Sequence, residues 1–95
     1  MLNKHVNDLV IETGKSKREV RRERQEVSEI LTKFSRVGHV ELILNAAGDI
    51  LIQGVCLPKI AAKELKSVAH FSWKKCGSMQ KCRANMHFVS AILLS

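Results

Sequence analysis

The sequence predicts an α+β fold, a small and mainly helical domain with one central β-hairpin at about 39–57, and three observations carry that expectation. Apolar residues recur at helical spacing as far as Phe34. Between His39 and Leu57 the period drops to two on either side of a turn-forming stretch, Asn45-Ala46-Ala47-Gly48-Asp49. Beyond Pro58 the three- and four-residue steps return. The 95 residues contain no repeat, low-complexity tract or linker, so residues 1–95 are expected to form a single domain.

Leu2, Val6, Leu9 and Val10 share one helical face, and Gly14 offers a C-terminal stop, which predicts a short helix over 3–12. Ser16 with Glu19 three positions on is a capping box, where hydroxyl and carboxylate satisfy backbone N–H groups that a helix start leaves without partners. The helix it opens, 16–36, carries a narrow heptad-like seam of Val20, Val27, Leu31 and Phe34. Ile30 lies beside the seam, and Arg24 stands where an apolar residue would be expected. Arg22 and Glu26 attract at i,i+4, while Arg18–Arg22 and Glu19–Glu23 repel, so packing and not surface charge must hold this helix.

In the hairpin, Val40, Leu42 and Leu44 alternate with His39, Glu41 and Ile43, and Ile50 to Leu57 forms the return strand. Both faces are fairly apolar. One is expected to pack on helices and the other to need a cover of its own, since a two-stranded ribbon alone is marginal in water. Pro58 suits the first turn of a helix over 58–75, with Ala61, Leu65, Val68, Ala69, Ser72 and Trp73 as its buried stripe. Cys76-Gly77-Ser78 interrupts the pattern. Met79, Cys82, Met86, Val89 and Leu93 then predict a last helix from about 79 to 94, although Phe88–Leu94 also reads as a strand.

The net charge of +7 is unevenly spread. Residues 1–36 hold nine bases and six acids, 37–57 no base and two acids, and 58–95 seven bases and one acid, Glu64. A balance of this kind attracts anionic partners such as nucleic acid, an acidic protein face or an anionic membrane surface. No stretch reaches the roughly 18 to 20 apolar residues of a membrane span, and the beginning of the chain lacks the pattern of a secretory signal. Three cysteines, an odd number, fit reduced thiols and a cytoplasmic location better than a disulfide framework.

Chemistry-bearing motifs are scarce. His70, Cys76, Cys82 and His87 have ligand types that suit zinc, but their spacing is too wide for the usual paired knuckle, and Cys82 falls on an apolar stripe where a thiol acts as a small hydrophobe. Cys76 with His70 or His87 lacks a third orienting group, so no enzymatic activity is expected and no cofactor is assigned. Gly14-Lys15-Ser16 spells the end of a phosphate-binding loop without the earlier glycine or a preceding strand, and Ser16 is already used as a cap.

What remains is binding. A chain this short buries only roughly 60 to 65% of its unfolded surface, while apolar residues are plentiful, which points to a small intracellular regulatory protein acting by protein–protein contact, antirepressor- or adaptor-like. In composition it resembles the small regulators encoded by phages, plasmids and other mobile elements. The residues expected to face a partner or a second copy in a homo-oligomer are Val20, Val27, Ile30, Leu31, Phe34, Val89, Ile92 and Leu93. The alternative is a basic DNA-binding regulator using Lys59, Lys63, Lys66, Lys74, Lys75, Lys81 and Arg83, with 58–75 and 79–94 imitating a helix-turn-helix. No exposed aromatic residues are expected to be interleaved with these bases, which argues against a single-strand stacking platform.

Overall fold

A computed structural model of the chain describes residues 6–94. The fold class is α+β, as the patterning predicts, with four helices and one five-stranded antiparallel sheet among the described residues. The first helix, α1, runs Val6–Thr13, and its expected beginning at residues 3–5 lies outside the described residues. Gly14 closes it at φ 70°, donating its N–H to the Val10 carbonyl at 2.9 Å, a left-handed turn that glycine adopts without strain.

Helix α2, Lys17–Lys33, begins where the cap predicts, with Ser16 Oγ accepting the Glu19 N–H at 3.2 Å. Val20, Val27 and Leu31 are buried, each worth about 1.5 to 3 kcal/mol of transfer free energy when fully removed from water. One charged residue joins them. Glu23 is buried beside the seam and accepts a hydrogen bond from Lys15 Nζ at 2.7 Å, while its second carboxylate oxygen has no partner among the described residues.

The hairpin is present, as strands β1 (His39–Leu44) and β2 (Ile50–Ile52), joined by a turn in which Asn45 Oδ1 accepts the Asp49 N–H at 2.9 Å. The return strand is not continuous. Gln53 and Gly54, at φ 48° and 83°, fold a second tight turn into the two-residue strand β3, Val55–Cys56.

Helix α3 spans Lys59–Lys66 and not 58–75. It ends at Ser67, whose hydroxyl donates to the Glu64 carbonyl at 2.8 Å, a stop that neither glycine nor proline announces. The expected last helix is also corrected. Lys74–Cys76 (β4) and Met79–Asn85 (β5) form a second hairpin about Gly77 and Ser78, and only Met86–Leu94 is helical, as α4. Met79, Cys82 and Met86 satisfy a helical step, but so does a strand followed by a helix, and Gly77 at φ 63° supplies the turn.

The sheet order is β3-β2-β1-β5-β4, with β1 and β5 paired from His39–Asn85 to Leu44–Gln80. Val40, Leu42, Ile50, Ile52, Cys82 and Ala84 point into one core with Leu9, Ile60, Leu65, Met86 and Val89 from the helices. Val40, Leu42, Cys82 and Ala84 are buried while His39, Glu41, Arg83 and Asn85 beside them are exposed, so the helices cover one face of the sheet and leave the other open. Between α3 and β4, Phe71 packs edge-on against Trp73 and Phe88, with ring centroids 6.1 and 5.6 Å apart.

Candidate binding site on the open face of the sheet

Antiparallel pairing dictates what the open face displays. From β1 it takes His39, Glu41 and Ile43, from β5 Met79, Lys81, Arg83 and Asn85, from β4 Lys74 and Cys76, and from β2 Leu51. Glu41 stands opposite Arg83, and Ile43 opposite both Lys81 and Leu51. Ile43 and Leu51 are only half-buried and Met79 is 36% exposed, so a short apolar strip continues into a basic region.

The strands have unequal lengths, and this makes a cleft. Strand β2 pairs with β1 only over Leu42–Leu44, and β4 pairs with β5 only over Met79–Lys81, whereas β1 and β5 continue together to His39 and Asn85. Where both flanking strands have stopped, the sheet narrows to a two-stranded floor. Gln53 stands on one side, donating its backbone N–H to the Glu41 carbonyl at 3.1 Å and accepting the Glu41 N–H on its side-chain oxygen at 2.9 Å. Ser72 and Lys74 stand on the other. The resulting cleft, of about 390 Å³, is lined also by His39, Glu41, Lys81 and Arg83.

Its cations differ from three lysines elsewhere on the surface. Lys59 is engaged by Asp49, Lys63 by Glu12 at 3.5 Å and Lys15 by Glu23 at 2.7 Å. The Asp49 carboxyl is held below its ordinary range first of all by the Lys59 hydrogen bond, and Lys59 is raised by the same contact. Lys74, Lys81 and Arg83 form no ion pair among the described residues, so three cations share the cleft with one carboxylate. Underneath, Cys82 points into the core, where burial pushes its thiol up and a backbone contact at Ser72 partly offsets that.

The structure distributes the residues singled out in the sequence quite differently from one another. Val20, Val27, Leu31, Val89 and Leu93 are buried in the chain's own core, and Ile30, Phe34 and Ile92 pack against it in part. The seam of α2 is thus spent inside its own domain, and the five buried side chains offer no surface to a second molecule. Of the basic set, Lys59, Lys63 and Lys66 sit on α3, on the covered side, while Lys74, Lys81 and Arg83 sit on the open face and Lys75 faces the opposite way from Lys74. No helix-turn-helix exists across 58–94, because 74–85 is a hairpin.

His70, Cys76, Cys82 and His87 do not converge: they lie on a loop, on β4, in the core and on α4 respectively. Among the described residues, no three His, Cys, Asp or Glu side chains stand close enough to hold a metal ion, and no helix is long and apolar enough to cross a membrane. Sequence reasoning missed Gln53, Ser72, Glu41 and His39 as a group. The available signal was the period-two stretch 39–44, which already puts His39, Glu41 and Ile43 on one face.

No protein-family model, curated protein or solved structure matches this chain.

Proposed function

We propose that this chain is a binding protein of the adaptor or antirepressor kind, and that it recognises another protein through the open face of its sheet. The observation that carries this reading is a sheet covered by helices on one side only, with Ile43, Leu51 and Met79 on its uncovered side next to three cations, Lys74, Lys81 and Arg83, that form no ion pair among the described residues. Half-buried aliphatic residues beside a charged rim are the composition of a recognition surface, where apolar burial supplies affinity and charge supplies orientation.

A second copy of the chain is a poor occupant of this face. Two such faces would bring Lys74, Lys81 and Arg83 of each molecule against their equivalents, with one Glu41 on each side to offset them, and like charges brought together at an interface cost affinity. A heterologous protein of opposite charge fits better. The DNA-binding alternative draws support from the same cations, but three of them neutralise few phosphates, and the adjoining Ile43 and Leu51 have no role on a duplex.

The test is affinity capture from the native host with the wild-type chain, a Met79→Asp variant on the open face and a Lys63→Asp variant on the helical side. A single protein retained by the wild type and by Lys63→Asp but lost with Met79→Asp supports the reading. Retention by all three, or recovery of nucleic acid in place of protein, overturns it.

A further inference from the structure

We infer that the cleft between β1, β5 and the Ser72–Lys74 segment is an anion-binding subsite that receives a carboxylate or phosphate group from an acidic segment of a partner protein. The inference rests on the open-face reading above and specifies the chemistry of what docks there.

Three features of the fold converge on this point. The first is charge placed against its own stability. Lys74 and Lys81 are cross-strand partners on the same face, and like charges directly opposite in a ladder destabilise it. Arg83 follows two residues along β5, so its guanidinium adds a third positive group on that side of the cleft. Lys59, Lys63 and Lys15 are each matched by an acid, Asp49, Glu12 and Glu23. Among the described residues Lys74, Lys81 and Arg83 form no ion pair, and an anion between them converts mutual repulsion into attraction.

The second feature is shape. The cleft exists because β2 and β4 end before β1 and β5 do, which gives it a floor of paired backbone and two walls. Its volume of about 390 Å³ lies at the small end of the range of ligand sites, enough for one charged side chain with its neighbours and far short of a nucleic-acid groove. Ser72 and His39 add hydrogen-bonding side chains beside the cations, and Arg offers the planar fork that matches a carboxylate or a phosphate in two contacts.

The third is polarity along the face. Moving from Arg83 to Lys81 and across to Ile43 and Leu51, the surface passes from cationic to aliphatic within two strand positions. An extended segment alternating acidic and aliphatic residues satisfies both halves. A duplex would leave the aliphatic half unused, and a single strand would find no Phe, Tyr or Trp ring lining the cleft on which to stack.

The experiment uses fluorescence anisotropy with the full chain and four labelled probes: an alternating Glu-Leu peptide, its counterpart with Gln for Glu, a Gln-Leu peptide bearing one central phosphoserine, and a short duplex DNA. The Glu-Leu or the phosphoserine peptide should bind at least about tenfold more tightly than the Gln-Leu peptide, and more weakly as salt rises. Whichever of the two binds more tightly names the source of the anion. Lys81→Glu should remove about tenfold or more of that affinity, Lys74→Glu should act in the same direction, and Lys59→Glu should leave it unchanged. Equal binding of the Gln-Leu peptide, an equal loss with Lys59→Glu, or tighter binding of the duplex would overturn the inference. The two readings fail separately. If host capture is lost with Met79→Asp but unaffected by Lys81→Glu, the open face binds a protein and the cleft is not its anion subsite.

Discussion

Lys74 on β4 and Lys81 on β5 stand directly opposite each other on the uncovered side of the sheet, and among the described residues no ion pair relieves either of them. Lys74→Glu or Lys81→Glu should therefore stabilise the fold, by about 0.2 to 1 kcal/mol, because it replaces a repulsive cross-strand pair with an attractive one. The gain should shrink as salt is added. Urea unfolding at low and high ionic strength measures both effects, and a loss of stability from either substitution would contradict the register described here.

Leu31 belongs to the seam on α2 that the sequence offers as a contact surface, yet it is 2% exposed within the chain's own core. Leu31→Ala should cost about 2 to 5 kcal/mol, the usual range for a buried leucine truncated to alanine. Chemical denaturation reads the change. Ile11, 83% exposed on α1, provides the contrast: Ile11→Ala should shift stability by no more than about 0.5 kcal/mol.

The three thiols should separate by reactivity. Cys56 and Cys76 are exposed on β3 and β4, whereas Cys82 is buried and its thiol is pushed up by that burial. The thiolate is the reactive form, so Cys82 should be alkylated last and only as the molecule opens. Iodoacetamide labelling followed by peptide mass spectrometry gives the order, and equal rates at all three sites would refute the burial of Cys82.

Asp49 and Lys59 link the first hairpin to the start of α3, and each shifts the other's titration. Asp49 has its pKa lowered on folding, so its contribution is present above the ordinary carboxylate pKa and is lost as pH falls through the lowered folded value. Lys59 has its pKa raised, so its contribution is present below the ordinary lysine value and is lost as pH rises through the raised one. Both side chains are solvent-accessible, so the effect on stability is small. NMR titration of the Asp49 carboxyl should find its midpoint below that of an isolated aspartate, and Lys59→Ala should move it back up.

The hairpin at 39–57 was legible because two apolar runs flank a turn-forming stretch, Asn45-Ala46-Ala47-Gly48-Asp49, and the cap at Ser16 because side-chain and backbone requirements there are local. The second hairpin was not. Met79, Cys82 and Met86 obey a helical step, and only the two-residue turn at Gly77-Ser78 with outward Lys81 and Arg83 against inward Cys82 and Ala84 distinguishes the strand. The end of α3 at Ser67 carries no glycine or proline, and the packing of Phe71 against Phe88 that follows it joins residues distant in the chain, so neither is visible in one dimension.

The cleft was illegible for a different reason. Its lining comes from four separate stretches, around residues 40, 53, 73 and 82, and it depends on β2 and β4 stopping short, which is a property of pairing and not of composition. The sequence did reveal that the basic excess lies beyond residue 58 and that the outward side of the first hairpin is apolar enough to need a cover.

The outermost strands of the sheet carry one further implication. Strand β3 is two residues long and β4 three, with Lys74 and Lys75 in β4 and a tight turn at one end of each. Margins so brief and so charged make poor templates for stacking chain upon chain, so this protein should resist seeding fibrils even at high expression levels.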